Sequence, residues 1–211
     1  MKGLSLLLCA SALFAGDGAR LFYSREFPGS SPAYLQVTVA KDGSTEYKEA
    51  VDDDLPVKFK LSDADTQEVF GLAEKLDYFK HSLEAPVKVA FMGTKTFRYE
   101  DGDKKSEVKF NYTADLNAQA LQDWFEKMAE SAQHRIDVER AAKYDHLGVV
   151  QALLLLESAM DRGRIVGAEQ FLPILTRISD NETYMHTARA RAAEIAEAIR
   201  RGTVETPAQK Q

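Results

Sequence analysis

Cysteine is almost missing from this chain: of 211 residues only Cys9 carries a thiol. If the N-terminal segment holding it is cleaved as a leader, nothing remains to form a disulfide framework or a thiolate metal site. Catalytic signatures are missing as well. There is no Gly-x-Ser-x-Gly elbow, no Gly-x-Gly-x-x-Gly turn and no Walker loop, so the commonest hydrolase and nucleotide-binding chemistries have no support. A basic surplus is lacking: 27 Lys and Arg stand against 33 Asp and Glu, a net charge of -6, which argues against the basic footprint of a nucleic-acid binder. Long apolar runs are also lacking. The longest, from Leu4 to Ala15, falls short of the roughly 20 residues a membrane-spanning helix needs.

That short run sits in an informative place. Lys2 precedes the apolar segment Leu4 to Leu8, and small residues dominate from Cys9 to Ala19, the order of a secretory signal peptide. Ala10-Ser11-Ala12 fits the small-x-small rule, but a cut between Ala15 and Ala19 leaves a more usual leader length. Lipidation at Cys9 is the rival reading, opposed by Leu8, which stands where a small residue should precede the cysteine. Loss of residues 1–19 removes Lys2 and Asp17, so the mature chain keeps its charge of -6. With 45% hydrophobic and 28% charged residues it has the composition of a globular protein, and an apolar core must hold it together. Asn111-Tyr112-Thr113 and Asn181-Glu182-Thr183 fit the glycosylation triplet, but the brief leader has a bacterial look and they are read as chance.

From Arg20 to about Tyr112 the pattern is that of strands. Leu35, Val37 and Val39 alternate with polar neighbours, Lys41-Asp42-Gly43-Ser44 supplies turn chemistry, and Thr45, Tyr47 and Glu49 resume the alternation, predicting a β-hairpin. Val57, Phe59 and Leu61 predict another strand. Ser62 then caps a helix running to about Phe79, with Val69, Leu72, Ala73, Leu76 and Phe79 on one stripe. Beyond Pro86, the alternating Val87, Val89 and Phe91 predict a strand interrupted at Met92-Gly93-Thr94. Thr96 to Tyr99, the turn Asp101-Gly102-Asp103 and Val108, Phe110 and Tyr112 complete the strand-rich half.

After Asp115 the period changes to that of a helix: Leu121, Trp124, Phe125, Met128, Ala132 and Ile136 fall at three- and four-residue steps. Unbroken to Gly163, such a helix would be ~70 Å long, so a break is expected near Tyr144 to Gly148. Val149, Val150, Leu153, Leu154 and Leu156 mark a buried helix, and Gly163 and Gly167 bracket a loop. Pro173 suits the first turn of a short helix, and a last helix runs from about Glu182 to Arg201. The expected fold is α+β: an antiparallel sheet meander with packed helices, then an all-helical C-terminal hairpin or small bundle. The expected divisions are a leader at 1–19, an α+β domain at 20–132, a helical region at 133–201 and a disordered tail at 202–211.

Phe27-Pro28-Gly29-Ser30-Ser31-Pro32-Ala33-Tyr34-Leu35-Gln36-Val37-Thr38-Val39, followed by Asp42-Gly43 and Tyr47, resembles a domain of unknown function found in secreted bacterial proteins. A Pro-x-Tyr strand leads there into Asp-Gly, a Tyr-containing strand and a capped helix. The resemblance spans about Arg20 to Ala132, and its motifs are turn and core positions, so it implies a fold and transfers no catalytic residue. Many members carry a cysteine pair before the Pro-x-Tyr; Phe27 and Ser31 stand in its place here, and no role of that pair carries over.

Candidate chemistry is thin. His81, His134, His146 and His186 stand in no ligand spacing, and Asp52-Asp53-Asp54 lacks the register and closing glutamate of a calcium loop. Ser30-Ser31 and the acids Glu100, Asp101 and Asp103 read as turn and surface residues. Trp124 belongs to an apolar stripe and reads as core. Arg189, Arg191, Arg200 and Arg201 suit the dipole of the last helix, with an anion-binding patch as the alternative. No catalytic, metal or cofactor residues are assigned. The expectation is an exported, periplasmic or extracellular, non-catalytic protein. It would be a binding module whose partner is another envelope protein, with no nucleic acid and no transmembrane segment in the mature chain. Two alternatives stay open: an envelope enzyme with a site between the halves, and a small-molecule binder with a cavity between sheet and helix.

Overall fold

The structure, a computed structural model, describes residues 18–202. The leader up to residue 17, with Lys2, Cys9 and Ala15, lies outside the described residues, as does the tail from residue 203. Six strands form one antiparallel sheet: β1 (Arg20–Glu26), β2 (Tyr34–Ala40), β3 (Ser44–Lys48), β4 (Val57–Lys60), β5 (Thr94–Asp101) and β6 (Lys104–Phe110). Their order is β4-β3-β2-β1-β5-β6, so the first strand lies inside the sheet, between β2 and β5. Five helices accompany it: α1 (Asp63–Lys75), α2 (Leu116–Tyr144), α3 (Val149–Asp161), α4 (Leu172–Asp180) and α5 (His186–Arg200). The α+β class and the helical C-terminal region are therefore as expected. Among the described residues no helix is long and apolar enough to cross a membrane.

The strands obey the period of two. Leu21 and Tyr23 of β1, Leu35, Val37 and Val39 of β2, Tyr47 of β3 and Phe97 of β5 are buried in the same core as the apolar stripes of α1 and α2. Polar residues fill most of the intervening positions, where Glu46 pairs with Lys58 at 3.0 Å and Arg98 pairs with Glu100 at 3.0 Å and lies over the Phe22 ring at 3.8 Å. One face of the sheet is thus covered by helices and the other meets water. The β2–β3 turn is made locally: Ser44 N–H donates to Asp42 Oδ1 at 3.0 Å.

Two expectations fail here. Residues 87–91 do not form a strand. Gly93, at φ 91°, turns the chain just before β5, and 87–91 gains no ladder partner. Val87 and Phe91 are left 54% and 58% exposed. Alternating apolarity describes a potential face, but a strand needs a neighbour to satisfy its backbone. The helix at Ser62 also stops early, at Lys75. Asp77, Tyr78 and Phe79 all take left-handed φ values, 46°, 49° and 68°. Each such residue costs ~1–2 kcal/mol. Burial offsets that cost: Phe79 packs against Phe97 at 5.2 Å and Tyr78 against Tyr99 at 4.4 Å, while Ser106 Oγ binds the Tyr78 carbonyl.

The break between α2 and α3 falls at Asp145–Gly148, as expected from length. Asp145 Oδ1 accepts from Gly148 N–H at 3.0 Å there. Two cores result. The sheet, α1 and the first half of α2 enclose one; the end of α2 with α3, α4 and α5 encloses the other. The division expected at 132/133 lies inside α2, which runs unbroken from one core to the other. The loop after α3 ties the cores together: Arg164 forks onto Glu130 at 2.8 and 2.9 Å and onto Asp123 at 2.5 Å, and Val166 N–H donates to Ser131 Oγ at 2.9 Å.

Candidate functional site

The parity of β1 that buries Leu21 and Tyr23 carries Arg25 onto the same, helix-covered side. Its partner across the ladder in β5 is Lys95, just as Tyr23 stands opposite Phe97. Two cations directly opposite each other oppose sheet formation. Lys95 is only 5% exposed, and its Nζ donates to the carbonyls of Asn111 at 2.7 Å and Met92 at 3.4 Å. Arg25 forms no ion pair and no side-chain hydrogen bond among the described residues.

These two side chains line a cleft of about 410 Å³ between the ends of β1 and β5 and the first half of α2. The helix contributes Gln119, Gln122, Asp123 and Glu126, whose spacing of three and four places them along one stripe. Gln122 Nε2 donates to Glu126 Oε1 at 2.8 Å, leaving Glu126 without an ion pair among the described residues. Asp123 is already engaged, by Lys127 at 2.7 Å and Arg164 at 2.5 Å. Phe27 and Met92 form an apolar lip, extended by Phe91 edge-on to Phe27 at 6.0 Å. Asn111 pins that lip, its Oδ1 accepting from Met92 N–H at 2.6 Å and its Nδ2 donating to the Ala90 carbonyl at 3.0 Å.

Burial pushes the Lys95 ammonium below its ordinary value, Glu126 pulling it back and Arg25 adding to the depression. Burial likewise pushes the Tyr23 hydroxyl well above its ordinary range, with Glu126 adding to the shift and Arg25 opposing it. Tyr23 is fully buried, its ring stacked on Phe125 at 5.1 Å, and its hydroxyl has no hydrogen-bond partner. A buried orphan hydroxyl is a departure from the rule that such groups are satisfied. A second groove, about 590 Å³ between α2 and α4, is lined by Glu139, Ala142, Lys143, Pro173, Ile174 and Arg177. Its polar side chains are all exposed, and no buried polar atom marks it.

The residues weighed from sequence lie elsewhere. His81 is exposed beside Asp77 at 3.3 Å, His146 packs against the Tyr184 ring at 4.7 Å, and His186 is exposed at the start of α5. His134 is half-buried on α2, where burial lowers its pKa. None of the four lines either cleft. Among the described residues no group of three or more His, Cys, Asp or Glu could hold a metal ion. Asp53 caps its own turn by accepting from Leu55 N–H at 3.0 Å, and Ser30 Oγ donates to the Phe27 and Pro32 carbonyls at 2.8 and 2.7 Å. Glu100 joins the Arg98 and Lys105 surface pairs. Trp124 is buried and its Nε1 donates to Glu68 at 3.2 Å. The arginines at and after α5 are engaged locally: Arg189 binds the Ser179 carbonyl at 3.1 Å and Arg191 pairs with Glu157, while the exposed Arg200 bonds Thr176 at 3.0 Å and the exposed Arg201 pairs with Glu197 at 3.6 Å.

Sequence reasoning missed Arg25 and Lys95 altogether. A signal was available in each, a cation at the inward parity of an otherwise apolar strand. In outline the protein is an α+β protein with a one-sided antiparallel sheet and a polar cleft under its covering helix. Neither a protein-family model nor a curated protein matches the chain.

Proposed function

We propose that the protein is an exported, non-catalytic binding module and that it takes its ligand in the cleft between the sheet and α2. The observation that carries the reading is the pair Arg25 and Lys95, held side by side on the covered face with neither in an ion pair among the described residues. Natural folds tolerate such a local conflict where function requires it. A concave site with an apolar lip and a few convergent polar groups is also the usual form of a ligand site. The enzyme alternative lacks the observation that would favour it, since no histidine lines either cleft. The small-molecule alternative gains from the cleft lying between sheet and helix, and a binding module of the bacterial envelope accommodates it.

Export belongs to the same proposal, on the leader and on the resemblance of residues 20–132 to secreted bacterial domains. Ala19 supports a cut at Ala15 rather than at its own position, because its carbonyl accepts from Lys41 N–H at 3.0 Å and it packs against the sheet core. A thermal-shift screen of the chain from residue 16 against short peptides, organic acids, sugars and nucleotides tests the binding reading. At least one class should raise the melting temperature, and Arg25→Ala should abolish the rise. No shift from any class, or mass-spectrometric turnover of the compound that binds, overturns it. The mass of the exported chain tests the leader: a start at residue 16 is expected, and an acylated Cys9 or an intact leader contradicts it.

A further inference from the structure

The charges around the cleft specify more than a generic ligand. Resting on the proposal that this cleft is a binding site, we infer that it takes a single carboxylate attached to an apolar group, the carboxylate on Arg25 and the apolar group against Phe27, Phe91 and Met92.

The charge balance selects a monoanion. Asp123 is neutralised by Lys127 and Arg164, so the charges left lining the cleft are Arg25 and Lys95, both positive, and Glu126, negative, while Glu84, accepting from Asn111 N–H at 2.6 Å, acts on Lys95 from outside the lining. Within the lining that leaves a surplus of one positive charge, centred on Arg25, since Glu126 and Glu84 both act on Lys95. A dianionic phosphate would overfill it, and an uncharged ligand would leave it exposed in a partly desolvated site. The Arg25 guanidinium is the group suited to a carboxylate, because its planar fork can hold both oxygens at once. Lys95 spends donors on the Asn111 and Met92 carbonyls and has one of its three N–H groups left over.

Tyr23 supplies an independent observation. It lies on the same face of β1 as Arg25, two residues away, fully buried, and the charges acting on its hydroxyl are those of Glu126 and Arg25, both lining the cleft. Tyr23 does not itself line the cleft; the inferred contact is that a carboxylate seated on Arg25 reaches this hydroxyl as the acceptor it lacks. Lys95 and Asn111, which line the floor, also hold the Met92 and Ala90 backbone of the lip. Charge recognition and apolar contact are therefore joined by direct hydrogen bonds.

The test is calorimetric titration of the chain from residue 16 with four probes: acetyl-Ala-Ala-Phe free acid, the same peptide as its C-terminal amide, 3-phenylpropionate, and inorganic phosphate. The free acid should bind, the amide at least about tenfold more weakly, and phosphate more weakly than the acid. Arg25→Gln should weaken the acid about tenfold and leave the amide unchanged. Tyr23→Phe preserves the buried ring and should weaken the acid several-fold, so the inference stays testable if Arg25→Gln folds poorly. Phenylpropionate matching the peptide acid marks small apolar acids as the source; a much weaker phenylpropionate marks peptide C-termini; either supports the carboxylate. Equal binding of acid and amide, phosphate binding more tightly than the acid, or an acid affinity indifferent to both substitutions overturns the carboxylate while leaving a binding module. Failure of all four probes overturns it too, and the binding reading falls with it only when the broader thermal-shift screen is also silent.

Discussion

The two cores of this protein are filled differently. Beneath the sheet, aromatic rings meet in a cluster: Phe97 contacts Tyr23, Phe79, Phe110 and Phe125 at centroid distances of 5.6, 5.2, 5.1 and 5.8 Å. The helical core is built mainly from Leu153, Leu156, Leu175, Ile178 and Ile195 with Ala159, Ala188, Ala192 and Ala196, joined by two aromatics, Phe171 and Tyr184. Sheet and helix stand about 10 Å apart, a gap wide rings fill well, whereas helices separated by about 8–10 Å need small residues where they cross. The sheet core also tolerates a polar edge, where Arg25 and Lys95 line the cleft. The helical core has no counterpart among the described residues. The groove of about 590 Å³ between α2 and α4 is the larger of the two, but its polar side chains are exposed and no buried polar atom marks it.

The sharpest attack on this contrast is to hollow each core in turn. Phe97→Ala should cost about 3–5 kcal/mol and Leu153→Ala about 2–4 kcal/mol in urea unfolding. Since α2 belongs to both cores, each change should displace one shared transition, with Trp124 fluorescence and far-ultraviolet dichroism coinciding. Two separable transitions would show that the cores fold independently. Next comes the seam. Gly167, at φ 58°, sits so close to β4 that a Cβ would lie 2.7 Å from the Lys60 carbonyl oxygen. Gly167→Ala should cost about 2–3 kcal/mol; Gly102→Ala, at φ 56° with open space around it, should cost only the backbone share of about 1 kcal/mol. Equal costs would mean that the seam packing adds nothing.

A smaller effect is expected from acid. Burial works to raise the Asp123 carboxyl, but its bonds to Lys127 and Arg164 outweigh that and hold it below the ordinary value. A carboxyl depressed by folding stabilises the fold above its unfolded pKa, about 3.9, and that contribution is lost as pH falls through the lower folded value. Asp123→Asn should therefore lower stability near neutrality and flatten its fall below about pH 4; an unchanged acid limb would dismiss the Arg164 tie. The smallest change concerns the cleft. Tyr23→Phe removes an unpartnered buried hydroxyl and should raise the melting temperature slightly, by up to about 1 kcal/mol in stability, while weakening ligand. A clear loss of stability would show that the hydroxyl is satisfied in the free protein.

Much of the fold could be read locally. The β2–β3 hairpin needs only Asp42 and Gly43 beside alternating strands, α1 needs Ser62, whose side chain accepts from Asp65 N–H at 3.1 Å, and α4 carries Pro173 in its first turn. The errors arose where a local pattern depended on distant company. Phe79 fits the helical stripe of α1 but reaches the core through a left-handed turn stabilised by Phe97, far along the chain. Val87 to Phe91 alternate without a neighbouring strand to pair with. The cleft was least legible, because the inward parity of Arg25 and Lys95 marks each as unusual but only the ladder sets them opposite one another.

Periodicity, caps and turns depend on neighbours within a few residues, so the sequence by itself determined where most helices and strands of the described residues lie, which faces they bury, and that helices follow the strand-rich half. Only the tertiary structure decided that β1 lies inside the sheet between β2 and β5, that α2 serves both cores, and that two cations line one cleft while a tyrosine two residues from one of them is buried with its hydroxyl unpaired. Strand order and side-chain company depend on pairing between distant segments, whose free energy no local pattern encodes.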